Sequence, residues 1–107
     1  MINIAILASG GGSNAREICN YFSKHAVVRV SVIISNRSDA GVHSVATDFG
    51  ISSLTLKKSQ FGDCQFILDT LIHYQVDYIV LAGFLLLIPD CVIEAYQKKI
   101  LNILPLV

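Results

Sequence analysis

Residues Met1 to Ala15 read MINIAILASGGGSNA, and the fold of the whole chain turns on this stretch. Met1 to Ala8 is apolar, rich in isoleucine and too short for a helix of its own, which predicts a buried strand. Gly10, Gly11 and Gly12 let the backbone turn sharply and come close to a ligand, because no Cβ stands in the way. Ser13 or Asn14 is a good N-cap for a helix that follows. A strand, a glycine turn and a helix N-terminus leave unpaired N–H groups pointing at one spot, where a phosphate is stabilised. The plainer alternative is a tight strand-to-helix turn without a ligand. Three consecutive glycines favour the phosphate.

Outward from this turn the chain alternates. Ala15, Ile18, Cys19 and Phe22 recur at helical spacing and predict an amphipathic helix ending near His25. Val27 to Ile34 is strongly β-branched and reads as a second strand. Ser35 to Asp39 is a turn. Val42, Val45, Ala46 and Phe49 repeat the helical spacing, with Gly50 closing that helix. Ile51 to Leu56 is a short third strand, less apolar and so nearer an edge, and Lys57 to Gly62 reads as a polar loop. Cys64, Ile67, Leu68 and Leu71 mark a helix reaching about Tyr74. Asp77 to Ala82 is a fourth strand, Pro89 opens a short helix to Tyr96, and Ile100 to Ile103 is a fifth strand. Strands alternating with helices predict a single α/β domain over residues 1–107, with a doubly wound, mainly parallel sheet of about five strands.

Composition agrees. At 107 residues, one domain of modest size is expected. Apolar residues make up 53% and charged ones 15%, with mean hydropathy +0.61, as suits strands covered on both faces. Eight basic and eight acidic residues cancel, so neither a nucleic-acid footprint nor a polybasic membrane patch is expected. The longest apolar run, Tyr78 to Pro89, is too short to span a bilayer. No basic leader precedes the first strand, so no signal peptide is expected. Cys19, Cys64 and Cys91 are odd in number and widely spaced. They read as reduced, mostly packed thiols of a cytoplasmic protein, with no metal site spelled out.

In doubly wound sheets ligands bind outside the carboxyl ends of the strands, at the switch in strand order. Three stretches are expected to converge there: Gly10 to Asn14, Gly83 to Ile88, and Asn102 with Leu104. Gly10-x-Gly12-x-x-Ala15 also fits the dinucleotide fingerprint. That fingerprint wants an acid after the second strand, where this chain has Asn36-Arg37. An arginine there suits the 2′-phosphate of NADP, so an NADP-binding module is the competing reading; a solvated turn is the plain one. Leu85, Leu86, Leu87 and Ile88 are unusual in a connection, which is normally polar. They either line a pocket for a flat ring, pack as core under the next helix, or form surface for another segment. Asn102 donates and accepts hydrogen bonds and suits an oxyanion, although a lone Asn at a strand end is commonly a turn residue. His25, His43 and His73 lie in or beside helices and read as surface histidines. No Ser/His/Asp or Cys/His arrangement assembles at the strand ends.

With these residues in hand, the chain resembles the N-terminal half of the phosphoribosylglycinamide formyltransferase family, folate-dependent transformylases of purine biosynthesis. The resemblance covers essentially all of the chain: SGGGSN after the first strand, SNRSDAG after the second, VLAGF after the fourth, and ILNI followed by Leu104 and Pro105. Ser13-Asn14 resembles this family more than the formyltransferases acting on methionyl-tRNA, and the whole combination lowers the standing of NADP. The resemblance implies a Rossmann-like fold, a substrate phosphate on Gly12, Ser13 and Asn14, and a glycinamide side bordered by Gly83 and Pro105. It implies that backbone around Leu85 to Ile88 holds the pterin-like ring of 10-formyltetrahydrofolate, the co-substrate. Asn102 would hydrogen-bond the formyl oxygen while the amine of glycinamide ribonucleotide attacks. No metal is implied.

The departures bear on activity. The family carries a catalytic His two residues after the Asn, where this sequence has Leu104, which neither donates nor accepts a proton. The family's catalytic Asp belongs to the other half. After AGF the family often has a basic residue, where this chain has leucines, and Cys64 falls near a folate-contacting Arg of some members. Losing one general acid costs roughly 10²–10⁴ in rate, so this chain by itself is expected to be inactive. Its fifth strand and apolar tail are expected to expose surface that drives self-association.

Overall fold

The computed structural model describes residues 1–103. In chain order the elements are β1 (Ile2–Leu7), α1 (Ser13–Phe22), β2 (Val28–Ser35), α2 (Val42–Phe49), β3 (Ser52–Thr55), α3 (Lys58–Phe61), α4 (Cys64–His73), β4 (Tyr78–Ala82), α5 (Asp90–Ala95) and β5 (Ile100–Ile103). The strands form one sheet in the order β3-β2-β1-β4-β5, and every neighbouring pair is parallel. The chain therefore starts at the centre, winds outward to β3, then crosses back to β4 on the other side of β1. The switch in direction lies between β1 and β4, which is where a ligand crevice belongs in this architecture. The expected α/β class and the edge position of β3 are both observed.

Side chains alternate between the two faces, so each strand feeds two cores. Ile4, Ile6, Ile33 and Val80 pack with Ala15, Cys19, Val42 and Val45 under α1 and α2. Ala5, Leu7, Ile34 and Ile79 pack with Phe61, Ile67, Leu71 and Val92 under α3, α4 and α5. Burial of each large side chain contributes about 1.5–3 kcal/mol. The alternation breaks once. The register shifts between Ile4 and Ala5, whose partners are Val30 and Val32, so Ser31 is an extra residue in β2. This bulge puts Val30 on the α1–α2 side and Val32 on the other, a switch that hydropathy alone does not reveal.

Three boundaries differ from the sequence reading. Lys57 to Gly62 is not an open polar loop, because α3 forms one helical turn inside it. The Lys57 N–H donates to Gln60 Oε1 at 2.7 Å, and Phe61 is only 2% exposed, its ring centroid 5.0 Å from that of Phe84. One buried side chain in six residues leaves no periodicity to detect. Helix α1 stops at Phe22, short of His25, because His25 Nδ1 accepts from the N–H groups of Val27 and Val28 and shapes a turn instead. Pro89 is the N-cap of α5 rather than its first helical residue. By contrast Gly50 closes α2 in the left-handed conformation, as expected.

Candidate functional site

The glycine turn joins β1 to α1 at the sheet's switch point. Its N-cap is neither Ser13 nor Asn14 but Gly12, with φ +82° and ψ 22° and no side-chain cap. Backbone sterics place the cap at Gly12. Only glycine adopts this left-handed backbone without strain, and a Cβ on Gly12 would lie 2.8 Å from the Cα of Val42. Ser13 is thus the first helical residue. The N–H groups of the first turn have no intrahelical partner and no capping side chain, so they remain free for an anion. The start of α2 forms the floor beneath them. Gly41 abuts Gly11, where an added Cβ would come within 2.9 Å of its Cα, and the Val42 N–H donates to the Gly10 carbonyl at 3.2 Å. Gly41 and Val42 were missed as parts of the site; their signal was SNRSDAG, where the turn runs into a helix through a residue without a side chain.

Above this floor is a cavity of about 160 Å³ between Gly10 to Asn14 on one side and Ala82 with Gly83 on the other. No carboxylate lines it. The nearby Arg16 is turned away to Asp48, 2.7 Å distant on the exposed surface. Two of the three expected stretches therefore do converge.

Ser9 ties them together. It is 3% exposed; its hydroxyl donates to Asn36 Oδ1 at 2.5 Å and accepts from the Leu85 N–H at 3.0 Å. Its own N–H donates to the Gly83 carbonyl. One side chain thereby joins the ends of β1, β2 and β4. Nothing in the sequence separates Ser9 from a turn serine, since both of its hydroxyl partners lie far along the chain.

Beyond Gly83 the leucine stretch divides. Leu86 and Ile88 pack toward the α3–α5 core, while Leu85 and Leu87 are 79% and 94% exposed. Their cavity, about 480 Å³, is walled by Lys58, Phe61 and Gly62 on one side and Leu85 to Asp90 on the other. Core and pocket are both present in four residues. Asn102 pairs in register with Leu81 on the adjacent strand, so by alternation it lies on the α3–α5 side, and it is exposed. Leu104 and Pro105 lie outside the described residues. Two further cavities of about 270 Å³ each open at the opposite pole, beside Arg29 and Gly50, away from the carboxyl ends of the strands.

Two readings of titratable residues are corrected. Cys64 and Cys91 are not reduced thiols but a disulfide. Their separation of 27 in sequence hides a pairing that arises only when α4 and α5 pack side by side. Cys19 is free and buried as expected; burial pushes its thiol up to about 11 against an opposing pull from Arg16. His43 is not a simple surface histidine. It is half-buried, its Nδ1 bonded to the Ser53 hydroxyl and its Nε2 to the Arg37 carbonyl and Thr55 hydroxyl, which fastens α2 to β3.

Both residues on which the NADP reading depends are engaged within the protein. Asn36 accepts from Ser9, and Arg37 pairs with Asp39 at 3.2 Å, its hydrogen bonds holding the exposed Asp39 carboxyl below its ordinary value. A family model described as formyl transferase matches residues 2–106. This chain belongs to the formyl transferase family. The phosphoribosylglycinamide formyltransferase of Vigna unguiculata, a chloroplastic protein, is 35% identical over 95% of this chain and 34% of its own length. That of Escherichia coli is 33% identical over 97% of this chain and 51% of its own. Among solved structures, the phosphoribosylglycinamide formyltransferase of Anaplasma phagocytophilum superposes with a TM-score of 0.85 at 31% identity, covering 94% of this chain and 48% of that one. The chain spans about a third to a half of the length of these relatives. Membership of the formyl transferases does not favour an NADP-binding module.

Proposed function

We propose that this chain carries the phosphate cup and the folate-side wall of a phosphoribosylglycinamide formyltransferase, which moves a formyl group from 10-formyltetrahydrofolate to the amine of glycinamide ribonucleotide. The observation that carries the reading is the cavity between Gly10 to Asn14 and Gly83 at the switch point, in a chain of this family. Free N–H groups at Gly12, Ser13 and Asn14, backed by the α1 dipole, hold the substrate phosphate. Gly83 borders the glycinamide.

The leucine-loop cavity suits a flat ring: apolar side chains flank it, Lys58 stands at its rim, and backbone groups of Leu85 to Ile88 supply edge hydrogen bonds. The folate, when bound there, supplies an activated formyl carbon. Asn102 donates its side-chain N–H to the oxygen on which negative charge develops, a role worth about 10²–10³ in rate where it operates. Leu104 moves no proton, so this chain alone does not turn over. The protein is read as cytoplasmic; among the described residues no helix is long and apolar enough to cross a membrane.

A thermal-shift panel tests this. Glycinamide ribonucleotide and inorganic phosphate are expected to raise Tm, with the gain lost in Ser13→Ala and Asn14→Ala, and NADP is expected to do nothing. A response to NADP that Arg37→Ala removes, or silence toward both phosphate ligands, overturns the proposal.

A further inference from the structure

Cys64 is the first residue of α4 and Cys91 the second of α5, and their disulfide joins the two helices with Cα atoms 6.1 Å apart. Each cysteine follows one wall of the leucine-loop cavity closely along the chain. The wall of Lys58, Phe61 and Gly62 ends two residues before Cys64, and the wall of Leu85 to Asp90 ends one residue before Cys91. The bond therefore ties together the two helices that continue from these walls. At its far end the leucine stretch is held by the hydrogen bond from the Leu85 N–H to Ser9. At its near end it is held by α5, six residues long and too short to be stable by itself, and by this bond. Cys64 is exposed and Cys91 half-buried, so a reductant reaches the bond from solvent. The remaining cysteine, Cys19, is buried on the opposite face of the sheet.

We propose that Cys64–Cys91 is a redox latch on this cavity, opened by a dithiol reductant and closed by exchange with a small-molecule disulfide, which takes up the two electrons and two protons and ends as two thiols, with the closed form holding a flat aromatic ring more tightly. In opening, a thiolate of the dithiol attacks the more exposed Cys64 sulfur, the S–S bond breaks, and Cys91 leaves as a thiolate and takes a proton. The second thiol of the reductant then displaces Cys64, which is protonated in turn. The protein gains two electrons and two protons, and the reductant ends as a disulfide. That the ring is a folate rests on the function proposed above; the latch does not.

The intact chain is compared after air oxidation and after treatment with dithiothreitol. Thiol counting in denaturant is expected to give one free thiol before reduction and three after it, from the pairing in the structure. Hydrogen exchange is expected to quicken at least about fivefold over residues 58–63 and 85–91 and not in β1 or β2, with a similar loss of affinity for 1-anilinonaphthalene-8-sulfonate as the ring probe. Cys64→Ser/Cys91→Ser should behave as the reduced protein under either condition. Three free thiols before reduction, or exchange and probe affinity indifferent to it, overturn the latch. Should folic acid bind neither form while the exchange contrast holds, the folate reading fails and the latch stands.

Discussion

The backbone N–H of Leu85 donates to the side-chain hydroxyl of Ser9 at 3.0 Å, across 76 residues of sequence. The same hydroxyl donates to Asn36, so Ser9→Ala leaves a half-buried amide oxygen and a loop N–H without their partner. Such losses cost about 1–3 kcal/mol. Urea denaturation should register that loss, and the Leu85 amide should exchange faster while β1 stays protected. Unchanged stability together with an unchanged Leu85 amide would show that the hydroxyl does not hold the loop.

The glycines of the turn are not equivalent, and a matched pair of substitutions exposes the difference. Gly12→Ala forces a side chain into a left-handed backbone, costing about 1–2 kcal/mol, and drives its Cβ against Val42 at 2.8 Å. An alanine at Gly10 meets nothing within 4 Å. Calorimetric melting should show Gly12→Ala clearly destabilised and unable to bind phosphate, with Gly10→Ala close to the parent. Equal behaviour of the two would mean that the α2 start does not buttress the cup.

The parallel sheet was legible because its central strands are mostly apolar and alternate with helical patterns, as a doubly covered sheet requires, and the glycine turn marked its own place at the switch. What escaped was set by pairs distant in sequence. Ser9 meets Asn36 once β1 and β2 pair, whereas it meets Leu85, and Cys64 meets Cys91, only after the crossover from β3 to β4 has formed. Phe61 is buried by a neighbour in the leucine loop rather than by any pattern of its own. The N-cap at Gly12 has a subtler origin. Ser13 and Asn14 are the better capping side chains, but contact with Val42 fixes the left-handed residue one position earlier, and close approach outweighs a capping bond worth about 1 kcal/mol.

Strand β5 hydrogen-bonds to β4 on one side and, among the described residues, has no strand on the other. Leu101 is 59% exposed there. An uncovered edge with an apolar residue favours pairing with a second copy. Sedimentation velocity is expected to show a concentration-dependent dimer, which Leu101→Lys shifts toward monomer. A wild-type protein that remains monomeric across the accessible concentration range contradicts this.

Alkaline pH should weaken the fold through Cys19 and Tyr96. Burial raises the Cys19 thiol from 9.0 to about 11, and burial, followed by the charge of Asp77, raises the Tyr96 phenol, whose hydroxyl donates to the Val76 carbonyl at 3.1 Å. Between the unfolded and folded values the native groups keep their protons while the unfolded chain releases its own. The native state then binds more protons, and stability falls as pH rises. For Cys19 the stabilisation is complete below pH 9.0 and lost as pH approaches about 11. Melting temperature should decline across that window in the oxidised protein. Cys19→Ala should flatten the slope even though the smaller side chain lowers stability at neutral pH. A slope that is the same in parent and variant would remove Cys19 from the account.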